Sequence, residues 1–174
     1  MQNYFSLFQL PQQFGIDLPL LNANYRVIQS DSHPDRFVTA TSTEKLSSMQ
    51  LATLANEAYQ TLKNPASRAT YLLQLQNIEA VAETNTAMPA DFLMQQMEWR
   101  ETLDDAKQAK DIGALTSLLS KMRAEAVSLQ ADLVRLFDQN HDLIAATDTT
   151  RKLIFIDKVG ADVSKAIAHQ EDNT

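Results

Sequence analysis

Apolar residues recur along this chain at helical spacing from its first turn onward. Tyr4, Phe5, Leu7 and Phe8 predict a short apolar helix ended by Pro11. Asp17 is placed to cap the next helix, with Pro19 in its first turn, and Leu18, Leu21, Tyr25 and Ile28 fall on one face of it. Pro34 disfavours helical geometry at His33 and closes that helix. A polar loop, "RFVTATST", follows, and Ser42 or Thr43 is expected to cap a third helix. The core face of this third helix reads Leu46, Met49, Ala52, Ala55, Ala58 or Tyr59, and Leu62. Pro65 ends it and starts a fourth, "PASRATYLLQLQ". The alanine-rich middle of the third helix permits close approach by a neighbour. Helices two and three are therefore expected to form an antiparallel hairpin with His33-Pro34-Asp35 at its tip.

Beyond residue 76 the pattern changes. Four of the five prolines lie in the first 65 residues, and the stretch from Gln76 to Phe92 has weak periodicity. This predicts one domain over 1–76, a linker over 77–90 and a second domain over 91–174. Three long helices are expected in the second domain. One runs over 91–109 from Asp91. Another runs over 112–139, with a seam of Leu115, Leu118, Met122, Leu129, Leu133 and Leu136. The last covers roughly 148–170, with Leu153, Ile156, Val163 and Ile167. Such seams predict a three-helix bundle, so the fold class is all-α.

The helix from Asp91 has two unlike faces. At about 100° per residue, Phe92, Trp99, Leu103 and Ala106 form a core stripe. Met94, Met97, Glu98, Glu101 and Asp105 fall opposite, with Leu93 at their margin. Methionine fits a core or a surface equally well. Unpaired carboxylates are rarely buried, so the acids assign this face to solvent. Phe155 lies about 200° from Leu153 on its helix and is expected to point away from the seam, onto an accessible surface.

Composition removes several function classes. There is no cysteine, hence no disulfide, thiolate zinc site or cysteine-held iron–sulfur cluster. His33, His141 and His169 are too far apart in sequence to suggest a metal site, and neither metal nor other cofactor is expected. The N-terminus lacks the pattern of a secretory signal, and no apolar run approaches the ~18 residues of a membrane span. A cytoplasmic protein is expected. The net charge of −7 makes nucleic acid and anionic membranes poor partners. The charge is uneven: residues 1–76 carry five acids and five bases, residues 77–174 seventeen acids and ten bases. Two parts with different partners would account for that.

Three readings compete for His33-Pro34-Asp35. Catalysis lacks a nucleophile, since there is no cysteine and no serine in a strand–turn–helix elbow, and a hairpin tip is convex where an active site is concave. No enzymatic activity is expected. A plain turn is the simplest account, because Asp and Pro are common turn residues. Recognition is the third: Pro34 stiffens the loop, His33 can bond back to the helix end, and Asp35 is presented to a partner arginine.

The surrounding residues decide for recognition. A helix with an apolar face precedes the tripeptide, "RF" follows it, and an alanine-rich helix carries "ANEAYQTLKNPASRATYLL". This constellation resembles the J-domain, the module that activates DnaK-type chaperones. With "YFSLFQLP", "FLMQQMEWRETLDDAKQ" and "TTRKLIFIDKV", nearly the whole chain is similar to the HscB family of iron–sulfur cluster biogenesis. The resemblance implies a J-domain joined to a C-terminal three-helix domain in an L-shape. It implies a co-chaperone that stimulates the ATPase of HscA and delivers the cluster scaffold IscU. His33, Pro34, Asp35, Arg36 and Arg26 would meet the chaperone, Asp35 foremost. Positions matching Leu93, Met94, Met97, Glu98, Glu101, Asp105 and Phe155 belong to the family's scaffold-binding surface. The chain departs from the pattern in places. The helix before His33 offers Arg26 as its one base, Ser32 stands where tyrosine is common, Met97 where leucine is usual, and Asp105 where glutamate is usual. A J-domain co-chaperone with another client, and an enzyme with a chance His-Pro-Asp, are the alternatives.

Overall fold

A computed structural model describes residues 2–81 and 88–173. Among these the chain is helical and holds no strand, and it divides into two units, Met1–Leu75 and Gln76–Thr174.

The first unit contains α1 (Tyr4–Leu7), α2 (Leu18–Asp31), a 3₁₀ turn (Pro34–Phe37), α3 (Ser42–Lys63) and α4 (Pro65–Gln74). Side-chain chemistry sets each boundary. Asp17 accepts the Leu20 amide at the start of α2, and Pro19 sits in its first turn. Helix α3 is capped by Thr41, one residue before the expected Ser42 or Thr43. Glu44, three residues on, returns its carboxylate to the Thr41 amide and closes a capping box. Asn64 caps α4, whose first residue is Pro65.

Contacts between α2 and α3 run in opposite directions along the two helices. Tyr59 donates to Asn22 at 2.8 Å, Tyr25 to Asn56 at 3.1 Å, and Ser48 to the Ser32 carbonyl at 3.4 Å. The pair is therefore an antiparallel hairpin. Tyr25 and Tyr59 stack with centroids 4.0 Å apart, a close approach that the buried Ala55 and Ala58 allow.

Within "ANEAYQTLKNPASRATYLL", Ala58, Tyr59, Leu62, Pro65, Arg68 and Tyr71 all serve the fold. Ala58 and Leu62 are buried, Tyr59 stacks, and Pro65 starts α4. Arg68 is buried, donates to the Leu62 carbonyl at 2.8 Å and lies 4.5 Å from the Phe14 ring centroid. The Tyr71 hydroxyl accepts the Tyr4 amide at 3.0 Å, and the two rings stack. Burial, with Glu57 beside it, pushes the Tyr4 phenol up.

Two expected core faces are corrected. In α2 only Leu21 is buried; Leu18 is exposed, and Tyr25 and Ile28 are half-buried. In α3 the buried residues are Ser48, Ala55, Ala58 and Leu62, and Leu46 and Met49 face solvent. A serine begins the buried stripe, so a search for apolar residues starts on the wrong side of the helix.

The second unit contains α5 (Ala90–Gln108), α6 (Ile112–Leu133), a π-helical turn (Val134–Gln139) and α7 (Leu143–Asp172). Helices α5, α6 and α7 pack on one another as a three-helix bundle. The expected stripe of α5 and the whole α6 seam through Leu136 are buried, as are Leu153, Ile156 and Val163. Helix α7 starts earlier than expected, because Asp142 caps it ahead of the polar stretch "AATDTT". The single expected helix over 112–139 continues as a π turn after Leu133. Only three glycines occur in the chain, and Lys110 and His141 adopt the left-handed conformation that often closes a helix. At the first of these, the Asp111 amide reaches back to the Ala106 carbonyl at 2.9 Å.

The stretch 77–81, expected as linker, packs on the second unit. Ala80 is buried, and its carbonyl accepts from Arg151 Nε of α7 at 2.6 Å. Residues 82–87 of the expected linker lie outside the described residues.

Candidate functional site

The tripeptide sits where α2 stops. The Ser32 hydroxyl donates to the Ile28 carbonyl at 2.7 Å and is buried, while its own carbonyl accepts from Ser48 of α3. The loop is therefore tied to both helices one residue before His33. Pro34 opens the 3₁₀ turn, and the Arg36 amide returns to the His33 carbonyl at 3.0 Å.

His33 acts forward along the chain. Its Nδ1 accepts the Asp35 amide proton at 3.2 Å, so it caps the turn that carries Asp35; the expected side-chain bond back to the helix end is not made. An accepting Nδ1 bears no proton, so its 3.6 Å separation from Asp35 Oδ2 is a neutral approach in that tautomer. The Asp35 side chain is 89% exposed. Its carboxylate projects into solvent from a backbone fixed by Pro34 and His33.

The basic groups are fewer in effect than in number. Arg36 Nη1 lies 3.3 Å from Asp31 Oδ1, and this exposed pair neutralises its charge locally. Arg26 forms no ion pair among the described residues. An open depression lined by Arg26, Gln29, Ser30, His33 and Arg36 brings the predicted residues of α2 and the turn together.

The second cluster lies on the bundle. Leu93, Met94 and Met97 are exposed, Met97 to 71%. Glu98, Glu101 and Asp105 are exposed on the same side of α5 and make no ion pair among the described residues. An apolar strip bordered by three free carboxylates suits a partner that offers apolar residues and bases together.

Phe155 differs from its expectation. It is half-buried, stacks on Trp99 with centroids 6.3 Å apart, and meets Phe92 edge-on at 5.7 Å. Arg100 lies over the ring, 5.3 Å from its centroid. Helix α7 packs against both α5 and α6, so a residue turned away from one seam meets the other helix. On the α5 wheel Arg100 adjoins Leu93, which places Phe155 at the margin of the exposed strip. Sequence spacing did not point to Arg100, and its contact depends on α7.

Curated relatives match along nearly the whole chain. A co-chaperone protein HscB homolog from Ralstonia nicotianae is 49% identical, over 97% of this chain and 96% of that one. One from Burkholderia thailandensis is 48% identical with the same coverage. The chain belongs to the HscB co-chaperone family. Consistent with this, the family model described as the HSCB C-terminal oligomerisation domain matches residues 88–164. The solved HscB of Vibrio cholerae superposes with a TM-score of 0.83 at 39% identity, over 97% of this chain and 99% of that one. Human HscB gives 0.86 at 30% identity, over 94% and 81%. An HscB fold thus accounts for both units: a J-domain from α1 to α4 and a C-terminal helical bundle from α5 to α7. Among the described residues no three His, Asp or Glu side chains are grouped to hold a metal, and no helix is long and apolar enough to cross a membrane.

Proposed function

We propose that this protein stimulates the ATPase of a DnaK-type chaperone, HscA, and delivers to it the iron–sulfur cluster scaffold IscU, without being an enzyme itself. The observation that carries this is the pairing, in a chain that matches HscB relatives over most of its length, of an exposed Asp35 on a stiffened turn with a separate acid-bordered apolar face on α5. Asp35 engages a basic group of the chaperone. His33 and Pro34 hold its backbone, Arg26 contributes charge beside it, and Arg36, paired with Asp31, flanks the turn as a further contact. Leu93, Met94 and Met97 meet apolar residues of the scaffold, Phe155 supports their margin, and Glu98, Glu101 and Asp105 meet its bases. Activation requires that Asp35 contact the chaperone's ATP state better than its other states, since a ligand that binds all states equally shifts nothing. The test is the chaperone's ATP hydrolysis measured alone, with this protein, and with this protein plus scaffold. Stimulation that rises further with scaffold is expected. No stimulation would refute the J-domain role, and stimulation indifferent to the scaffold would assign the protein a different client.

A further inference from the structure

Sulfur is concentrated on the exposed strip of α5. The chain has no cysteine, so methionine thioethers are its only sulfur. Met122 is buried in the bundle, and Met88 is half-buried just ahead of α5. Among the described residues three methionines are exposed: Met49 of α3 to 63%, Met94 to 65% and Met97 to 71%. The last two stand one turn apart on α5. On the wheel Met97 lies about 40° from Leu93 and about 60° from Met94, at the middle of the strip. The buried stripe of Phe92, Trp99, Leu103 and Ala106 runs along the other side of the helix, so neither thioether belongs to the core.

Resting on the scaffold-binding reading of this strip, we propose that Met94 and Met97 are oxidation sites through which a peroxide reversibly switches that binding off. The step is a two-electron oxygen transfer. A lone pair of the thioether sulfur attacks one oxygen of hydrogen peroxide and the O–O bond breaks. The sulfur keeps that oxygen as a sulfoxide, and water leaves. No thiol of this chain competes for the oxidant. Solvent reaches both thioethers, whereas burial shields Met122. The product is a polar, chiral hydrogen-bond acceptor in the middle of an apolar strip. Pressing it against apolar residues of a partner weakens binding, because its oxygen loses water and gains no donor there. Glu98 and Glu101, one turn beyond Met94 and Met97, only accept when ionised and supply no donor either. Both sulfurs lie outside the core, so the bundle stays folded and reduction of the sulfoxides restores the site.

The experiment treats the full chain alone with hydrogen peroxide, removes the peroxide, and then titrates IscU, with peptide mass spectrometry locating the added oxygen. Sulfoxide is expected at Met94 and Met97, with Met122 spared and the thermal midpoint unchanged. Affinity for the scaffold should fall about tenfold, as loss of an interface anchor does. Methionine sulfoxide reductases acting on both epimers should restore it. Each variant is compared with its own untreated sample, so the effect of the substitution itself cancels. Met94→Leu/Met97→Leu should lose no affinity on treatment, and Met49→Leu should lose as much as wild type. Full conversion of Met94 and Met97 with unchanged affinity, or an equal loss in the double variant, overturns the switch and leaves scaffold binding standing. Thioethers that stay reduced in the folded chain, or a fall in midpoint that tracks the lost affinity, overturn it as well. Absence of IscU binding before any treatment overturns the reading of the strip itself, and the inference with it.

Discussion

Arg68 and Asp35 show how one residue type can be spent on structure and another on presentation. Arg68 is buried, yet its guanidinium has the Leu62 carbonyl and the Phe14 ring as partners. Lysine offers neither the planar fork nor the same stacking. Arg68→Lys should therefore destabilise the first unit by about 1.5–3 kcal/mol in urea unfolding, the range for hydrogen bonds to charged groups. The C-terminal unit should be unaffected. Asp35 makes the opposite case: its side chain is nearly fully exposed. The turn at the tripeptide and the exposure of Asp35 were legible in sequence because proline limits the options there. The inward role of Ser32 and the forward cap by His33 were not, because both depend on where α3 lies.

At the scale of elements, capping chemistry was the most readable signal and apolar periodicity the least secure. Asp17, Pro19 and Pro65 mark helix starts where they were expected. The face of α3 was misread because the stripe that meets α2 begins with a serine, Ser48, while the apolar Leu46 and Met49 on either side of it face solvent. The start of α3 gives a pH prediction. Bonds from the Thr41 amide and hydroxyl hold the Glu44 carboxyl below its ordinary value of 4.5. A depressed carboxylate stabilises the fold above its unfolded pKa and loses that contribution as pH falls through the folded value. The stability difference between wild type and Glu44→Gln should thus be present at neutral pH and vanish in acid, read from thermal midpoints across a pH series.

The α5 face separates binding from stability in the same way. Leu93→Ala/Met97→Ala should weaken scaffold binding with little change in midpoint, because both side chains are exposed. Phe155→Ala should lower the midpoint as well, by about 1–3 kcal/mol of stability, because its ring packs on Trp99 and Phe92. A Phe155→Ala variant as stable as wild type would show that these ring contacts contribute nothing. Of this site, the exposed strip was legible from the phase of three acids along α5. The packing of Phe155 was not, since it requires knowing that α7 touches two helices.

For the whole molecule, the uneven charge and the change in periodicity after residue 76 announced two parts. The end of the first at Leu75, and the packing of Ala80 on α7, follow from tertiary contacts that no local pattern encodes. Residues 1–75 should fold alone as a helical domain and stimulate the chaperone weakly, without enhancement by scaffold; a fragment unfolded by circular dichroism would show that the two parts need each other. The most direct test of the co-chaperone account is the chaperone's steady-state ATPase with scaffold present, comparing wild type with Asp35→Asn. The substitution removes one charge from an exposed, nearly isosteric side chain, so folding should be unchanged and stimulation should fall close to the basal rate. Stimulation by Asp35→Asn equal to that of wild type would contradict the account.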